Sequence, residues 1–241
     1  RVAESLTHLG YDILYCDPYR ARQEEDFIHT PLDEIADVDL ICLHVPLTNS
    51  GDFPTYHFLS AEFLTRQKPG TVLLNASRGA VINTDTLLSA GSPLTKCLDV
   101  WEHEPTPDPL LLQQSLIATP HIAGYSVQSK WRGVEMIYRA VCDSGILPDR
   151  EIIPSNALRH TMEFSERAVS WQDVVLGVFN PILLTALMRA KLSAAAAPGI
   201  QFDELRASIN YRQEFKYVNL VAKGLAAEDR RILQALGFIL P

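Results

Sequence analysis

The chain has 241 residues, of which 47% are hydrophobic and 21% charged, so its composition is that of a folded protein with one large or two small domains. Its net charge of −8 argues against nucleic acid as a partner, because phosphate binding needs a basic surface. The most apolar stretch, residues 174–188, is shorter than the ~20 residues of a membrane helix. We therefore expect neither nucleic-acid nor membrane binding.

The cysteines, at positions 16, 42, 97 and 142, form no CxxC motif and show no metal-site spacing with histidine. Cys16, Cys42 and Cys97 lie in apolar runs, and we expect them to be buried thiols. Reduced thiols are typical of the cytosol, so the pattern predicts a cytoplasmic protein.

The first predicted elements are a helix, a strand, a short helix and a second strand. They cover residues 1–10, 12–17, 31–39 and 40–47. Glycine commonly follows the last turn of a helix, which fits Gly10. The alternation of helix and strand is typical of an α/β protein.

This alternation continues through the middle of the chain. The predicted segments are a helix over 60–70 with Ser60 as N-cap, a strand over 71–77, a helix over 83–91 capped by Asn83 or Thr84, a strand over 94–101 and a short strand from 116. Together they predict a doubly wound, Rossmann-like parallel sheet with helices on both faces. Ligands of such sheets bind beyond the carboxyl ends of the strands, where Asp17, Arg78, Asp99 and His121 are expected.

One part of a dinucleotide-binding unit is not in the sequence. Such a unit opens with a strand and a G-x-G-x-x-G turn, followed by a helix and, about 20 residues after the glycines, an acid. The helix over 1–10 and the acid, Asp17, are present, whereas the first strand and the glycine turn are not. We therefore expect Arg1 to follow the glycine turn of a longer protein.

The chain changes character after the last predicted strand. A helix over 126–142 is predicted to turn four apolar side chains inward, those of Val127, Val134, Ile137 and Val141. A linker-like segment over 143–154 follows. Beyond it we predict helices over 174–192, 202–209 and 228–236 and a strand over 216–222.

These elements predict three parts of the chain. Residues 1–126 form a nucleotide-binding domain that is incomplete at its start, and residues 127–150 form a helix and a linker. Residues 151–241 form a smaller α+β domain, in which the sequence shows no ionisable cluster with catalytic spacing. An interaction or oligomerisation domain fits the last part.

Arg78 stands at the end of a predicted core strand, where an unpaired buried charge would be costly. A guanidinium in this place is a good bidentate receptor for a carboxylate or a phosphate. A salt bridge to a neighbouring loop is the alternative, and Arg78 alone does not decide between them.

Acidic residues and a histidine follow the next two strands. Asp99, Glu102 and Glu104 could form a solvated acidic loop, and His121 could be structural. Together with Arg78 they suggest chemistry, because a carboxylate orients a histidine base and an arginine anchors an anionic substrate beside it. These groups suit the removal of a proton from an alcohol while its hydride leaves to a nicotinamide.

Three motifs with this order and spacing resemble the D-isomer-specific 2-hydroxyacid dehydrogenases. They are NASRG at 75–79, LDVWEHEP at 98–105 and TPHIAG at 119–124. The resemblance implies NAD as cofactor and a phosphorylated 2-hydroxy acid as substrate. It also implies that the C-terminal domain forms a homodimer.

The resemblance assigns the substrate-facing roles. Arg78 would bind the substrate carboxylate, and His121 would be the general acid and base. Glu104 would orient His121, with Glu102 as the alternative partner. Tyr125 would reach the substrate phosphate.

The resemblance also assigns the cofactor-facing roles. Asp17 would hold the ribose diol, and an acid there favours NAD over NADP because it repels a 2′-phosphate. Ala76 and Ser77 would line the cofactor site, and Asp99 would contact the nicotinamide carboxamide. Gly124 would let the backbone approach the cofactor.

Two other functions fit the same residues. The chain could belong to a different member of the family, of the phosphoglycerate or hydroxypyruvate type, or to a non-catalytic NAD-binding regulatory protein. Hydride transfer needs a closed, dry cleft. We therefore expect the 241 residues by themselves to be inactive.

Overall fold

A computed structural model describes residues 2–150, 159–164 and 169–241. These residues divide into two compact units. One comprises Ile13–Ala123 and Pro181–Ser208, and the other the described residues of Arg1–Asp12, Gly124–Asn180 and Ile209–Pro241. The domain boundaries at 126 and 150 stay a prediction, and part of the predicted linker lies outside the described residues.

The helices and strands follow one another in the order that the sequence pattern indicates for most of the chain. The helices are α1 (Val2–His8), α2 (Pro18–Gln23), α3 (Ala61–Thr65), α4 (Thr84–Leu88), α5 (Pro109–Gln114), α6 (Val127–Asp143), α7 (Trp171–Val178), α8 (Pro181–Ser193), α9 (Pro198–Ser208) and α10 (Ala227–Ala235). The strands are β1 (Leu40–Leu43), β2 (Val72–Asn75), β3 (Thr95–Leu98), β4 (Ile117–Ala118), β5 (His160–Phe164) and β6 (Val218–Ala222).

A four-stranded parallel sheet forms the centre of the first unit. Its strands lie in the order β1-β2-β3-β4, which confirms the predicted α/β class. Leu73, Leu98 and Ala118 are fully buried in its middle. The helices between the strands begin at side-chain caps, and Ser60 and Asn83 accept backbone N–H groups as predicted.

Helix α8 belongs to this unit although it lies far along the chain. The Thr185 hydroxyl accepts a hydrogen bond from the backbone N–H of Ala118 at 2.9 Å and lies 3.1 Å from its carbonyl oxygen. Leu184 and Met188 of the same helix are buried. The helix therefore covers β4 at the edge of the sheet.

The second unit has its own small core. Strands β5 and β6 pair in parallel, and α7 and α10 pack against them. Val174, Val218 and Leu233 are fully buried there. The sequence pattern did not predict β5, in which three of the five residues are exposed and two are half-buried.

The predicted strand over 12–17 is wrong. This segment is extended but has no hydrogen-bonded neighbouring strand among the described residues. Leu14 and Tyr15 are exposed, and so is Cys16, which was expected to be buried. A strand needs a ladder partner, and its apolar sequence alone does not supply one.

Two predicted helices are also different in the structure. The helix predicted over 174–192 is broken between α7 and α8, because Pro181 has no N–H and starts a new helix. The helix predicted over 31–39 is a single 3₁₀ turn, Leu32–Glu34.

The predicted inward face of α6 is wrong for two of its residues. Val134 is 65% exposed and Ile137 is 69% exposed. Periodicity identifies an apolar face of a helix but not what covers it.

No single helix within the described ranges is long and apolar enough to cross a membrane, although the bent pair of α7 and α8 reaches the required length and composition.

Candidate active site

The chain places its candidate residues at one edge of the four-stranded sheet. Arg78 follows the end of β2, Asp99 follows β3 directly, and His121 lies three residues after β4. Because these strands are parallel, their carboxyl ends meet at this edge, as predicted.

His121 and Glu104 form the central pair of the site. Nδ1 of His121 lies 2.7 Å from Oε2 of Glu104, and both side chains are partly exposed. The other carboxylate oxygen, Oε1, accepts the backbone N–H of Trp101 at 2.8 Å, which holds Glu104 in place. Nε2 of His121 has no hydrogen-bond partner among the residues that the structure describes, so it is available to a ligand. The partner of His121 is therefore Glu104 and not the alternative, Glu102.

Asp99 holds the loop that carries His121. The residue is 7% exposed, and its carboxylate accepts hydrogen bonds from the Thr119 hydroxyl at 2.5 Å and from the backbone N–H groups of Ile122 and Ala123. Its carbonyl accepts the N–H of His121 at 2.7 Å. Sequence reasoning missed this role, and the contact between Asp99 and the nicotinamide stays a prediction.

The backbone of His121 is strained. Its φ is +54°, in the left-handed region that non-glycine residues seldom adopt. Such residues persist where the surrounding structure holds them, and they concentrate at functional sites. The bonds to Asp99 and Glu104 provide that restraint.

Arg78 is an exposed cation. Its Nη1 donates to the carbonyl of Ser77 at 2.7 Å, and none of the ion pairs within the described ranges includes it. The salt bridge that the sequence left open is thus not observed within the described ranges, and the role of Arg78 as an anion receptor stays a prediction. The preceding turn is fixed by Asn75, which bonds to both Ser77 and the carbonyl of Arg78.

Gly79 brings the Arg78 turn against the loop of Glu104. A Cβ added to Gly79 would lie 1.9 Å from the carbonyl carbon of Trp101 and 2.4 Å from the backbone nitrogen of Glu102. Only glycine allows two backbones to approach so closely. The two loops are therefore in direct contact.

Glu102 pairs with a different histidine, His57. Its Oε1 lies 2.5 Å from Nε2 of His57, and its Oε2 accepts the backbone N–H of Thr84 at 2.6 Å. Burial acts to raise the pKa of the Glu102 carboxyl. The hydrogen bonds from Thr84 and His57 and the charge of His57 outweigh it, so the pKa lies below its ordinary value. Sequence reasoning missed His57, since no motif singles it out.

The predicted cofactor residues lie in two places. Asp17 caps α2 by accepting the backbone N–H of Arg20 at 3.1 Å. Ala76 and Ser77 follow β2, where Ser77 is buried and Ala76 is half-buried. All three belong to the unit with the four-stranded sheet.

Gly124 and Tyr125 belong to the other compact unit. Space around Gly124 is open, because a Cβ added there would meet nothing within 4 Å. The ammonium of Lys130 lies 3.7 Å from the centre of the Tyr125 ring, a cation–π contact. Their predicted contacts with cofactor and substrate stay predictions.

One known protein family matches the first half of the chain. Residues 1–123 match the family described as D-isomer specific 2-hydroxyacid dehydrogenase, NAD binding domain. The chain belongs to this family. The predicted resemblance is thus confirmed, and NAD is the cofactor that the family's domain binds.

Individual relatives are similar over nearly the whole chain. The erythronate-4-phosphate dehydrogenase of Coxiella burnetii (strain RSA 331 / Henzerling II) is 44% identical over 91% of this chain and 59% of that protein. That of Pseudomonas aeruginosa (strain UCBPP-PA14) is 38% identical over 98% of this chain and 65% of that protein. The chain spans about 59–65% of the length of these two relatives.

Solved structures are also similar in part. The D-lactate dehydrogenase of Aquifex aeolicus, determined with NAD and lactic acid, is 28% identical and covers 56% of this chain and 46% of that chain, with a TM-score of 0.41.

The residues present fit NAD by their chemistry. Asp17 places a carboxylate at the start of α2, which suits a ribose diol. The small residue Ala76 and the buried Ser77 follow β2 at the edge where parallel sheets bind nucleotides. The residues predicted to hold the cofactor stay those that the resemblance implies: Asp17, Ala76, Ser77, Asp99 and Gly124.

Proposed function

We propose that the protein containing this chain oxidises a phosphorylated 2-hydroxy acid with NAD. The observation that carries the proposal is the His121–Glu104 hydrogen bond at the same sheet edge as Arg78, a cation that forms no ion pair within the described part of the chain. The similarity to erythronate-4-phosphate dehydrogenases supports 4-phospho-D-erythronate as the substrate and 2-oxo-3-hydroxy-4-phosphobutanoate as the product. This reaction is a step in pyridoxal 5′-phosphate biosynthesis.

The residues of the site divide the chemistry between them. Arg78 binds the substrate carboxylate through two parallel hydrogen bonds and so orients the carbon beside it. His121 takes the proton of the 2-hydroxyl at Nε2, and Glu104 stabilises the imidazolium that forms. Asp17, Ala76, Ser77, Asp99 and Gly124 would hold NAD, which would supply the hydride acceptor for the carbon that bears the 2-hydroxyl. The alcohol thereby loses a proton and a hydride and becomes a carbonyl.

Three further residues, Tyr125, Gly124 and Asp99, have proposed contacts with the substrate or the cofactor. Tyr125 contacts the substrate phosphate, and Gly124 allows the cofactor to approach the backbone. Asp99 contacts the nicotinamide and also holds the His121 loop. A cytosolic location is consistent with the free cysteines of the described residues.

We also propose a homodimer formed through residues 151–241. Large apolar side chains are exposed there, among them Leu176, Tyr211 and Val221, and exposed apolar patches often mark protein interfaces. The triple variant Leu176→Glu/Tyr211→Glu/Val221→Glu of the full-length gene product, which keeps helix α8 on β4, is expected to give a monomer in sizing experiments. A folded variant that still elutes as a dimer would contradict this assignment.

The decisive assay is NAD reduction by the full-length gene product. We expect the nicotinamide absorbance to rise with 4-phospho-D-erythronate and to rise far less with unphosphorylated erythronate. Faster reduction with 3-phosphoglycerate, or reduction of hydroxypyruvate by NADH in place of this reaction, would indicate another member of the family. Binding of NAD without any turnover would indicate a regulatory protein and would overturn the proposal.

A further inference from the structure

Segment 79–84 connects Arg78 to helix α4, and His57 and Glu102 hold it from outside. The backbone N–H of His57 donates to the carbonyl of Ala80 at 2.9 Å. The carboxylate of Glu102 accepts the backbone N–H of Thr84 at the other end of the segment, at 2.6 Å. The 2.5 Å contact between His57 and Glu102 links these two attachments.

The His57–Glu102 pair is largely buried and is held by several contacts. The Glu102 side chain is 8% exposed, and both of its oxygens are occupied. His57 is 27% exposed, and the ring of Tyr56 stacks on it with 3.8 Å between centroids. The φ of His57 is +52°, so its backbone is held in the left-handed region. Strain of this kind is kept where the surrounding contacts determine the conformation.

The pair also connects the Arg78 turn to the loop of Glu104. Glu102 is two residues from Glu104, and its backbone nitrogen lies at the close approach between Gly79 and Trp101. The position of Arg78 relative to the His121–Glu104 pair therefore depends on the His57–Glu102 pair.

From these contacts, we infer that His57 and Glu102 form a positioning pair that sets the guanidinium of Arg78 against the substrate carboxylate. The inference rests on the proposed function. His57 and Glu102 do not touch the reacting atoms in this role; they act through the backbone of segment 79–84.

The test compares Glu102→Gln, His57→Ala, His57→Gln and the double variant Glu102→Gln/His57→Ala in the full-length gene product. The matched control is His103→Gln, an exposed histidine whose Nε2 lies 3.9 Å from Oε2 of Glu102, beyond hydrogen-bond distance. NAD reduction with 4-phospho-D-erythronate gives kcat and KM, and a fluorescence titration gives the NAD dissociation constant.

We expect Glu102→Gln to lower kcat/KM about 10- to 100-fold, since a small displacement of a positioning group costs this much. The loss is expected mainly in KM, with NAD affinity unchanged, because Arg78 anchors the substrate. His57→Gln, which keeps an N–H donor, is expected to lose less than His57→Ala. The double variant is expected to lose no more than the worse single variant, because both substitutions break one contact.

A purely structural role gives a different result. It would lower kcat through a smaller folded fraction and leave KM unchanged. That outcome, or parental activity in both Glu102→Gln and His57→Ala, overturns the inference. If Glu102→Gln fails to fold, the comparison of His57→Gln with His57→Ala still tests the inference. His57 is the more exposed partner, so its substitution disturbs folding less.

Failure of the proposed function is distinguishable from failure of the inference. A parent protein that does not reduce NAD contradicts the proposed function. A calorimetric measurement of 4-phospho-D-erythronate binding to the NAD-loaded protein then tests the His57–Glu102 pair directly. Weaker binding in Glu102→Gln supports the inference, and equal binding overturns it.

Discussion

Two histidine–glutamate pairs take their glutamates from one loop, the one that follows β3, and they differ in which histidine nitrogen contacts the glutamate. His121 uses Nδ1 to contact Glu104, so the outer nitrogen Nε2 has no partner in the described part of the chain. His57 uses Nε2 to contact Glu102, so its outer nitrogen is committed to the protein. Both histidines have a positive φ, of 54° and 52°.

The carboxylates of Glu104 and Glu102 differ in their exposure and in the group that their second oxygen binds. The second oxygen of Glu104 bonds within its own loop, to Trp101, and the side chain stays 25% exposed. The second oxygen of Glu102 bonds to Thr84 of another element, and the side chain is 8% exposed. The same two residue types therefore suit two tasks. The open pair, His121 and Glu104, suits proton transfer. The buried pair, His57 and Glu102, suits holding a neighbouring segment in place.

The largest expected effect comes from breaking the open pair. His121→Ala in the full-length gene product should lower kcat about 10²- to 10⁴-fold, because it removes an acid–base group. NAD affinity should be nearly unchanged. His103→Ala, in the same region but exposed, serves as the control. Normal turnover in His121→Ala would remove this residue from the mechanism.

A smaller effect is expected at the anion receptor beside the open pair. Arg78→Lys keeps the charge but cannot form two parallel hydrogen bonds with a carboxylate, so kcat/KM should fall about 10- to 100-fold. Arg231→Lys, an exposed arginine paired with Glu228, is the control. Unchanged kcat and KM in Arg78→Lys would contradict the anchor role.

A change in stability is expected where the Arg78 turn meets the loop of Glu102 and Glu104, at the close approach between Gly79 and Trp101. Gly79→Ala would place a Cβ 1.9 Å from the Trp101 backbone, so the loops must separate, at a cost of about 1–3 kcal/mol or more of unfolding free energy. Gly133→Ala is the control, because its Cβ meets nothing within 4 Å and helical alanine is favourable. Equal denaturation midpoints for Gly79→Ala and the parent would show that the loops are not in contact.

The smallest expected effect is the pH dependence of the buried pair. The pKa of Glu102 is lowered on folding, so its ionised form stabilises the protein fully above the unfolded carboxyl value of about 4.3. This stability is lost as the pH falls through the lower, folded pKa. The parent should therefore be more stable than Glu102→Gln near neutral pH, and the two unfolding curves should converge in acid. A constant difference would contradict the assigned charge state.

The sequence predicts one of these pairs and not the other. His121 follows an apolar strand, where charge is unexpected, so the parallel-sheet rule brings it to the same edge as Asp99. Its pairing with Glu104 rather than Glu102 was implied by the resemblance to the dehydrogenase family. His57 lies in an irregular segment without strand or helix periodicity, and its contact with Glu102 spans 45 residues. Pattern reasoning cannot locate such a contact.

The same limit explains the errors in the fold. Residues 12–17 have a strand-like sequence, but pairing depends on a neighbour that local residues do not specify. The exposure of Val134 and Ile137 likewise depends on tertiary contacts. Helix starts were predictable, because Ser60 and Asn83 act on backbone groups within three residues.

The most direct measurement is a crystal structure of the full-length gene product with NAD and the hydroxy acid. We expect Nε2 of His121 within hydrogen-bond reach of the 2-hydroxyl, about 2.6–3.2 Å, and both arms of the Arg78 guanidinium on the carboxylate. His57 should remain bonded to Glu102 without touching the substrate. A hydroxyl bound elsewhere, with Nε2 of His121 turned away from it and Arg78 unbound, would contradict the assignment of the open pair to catalysis.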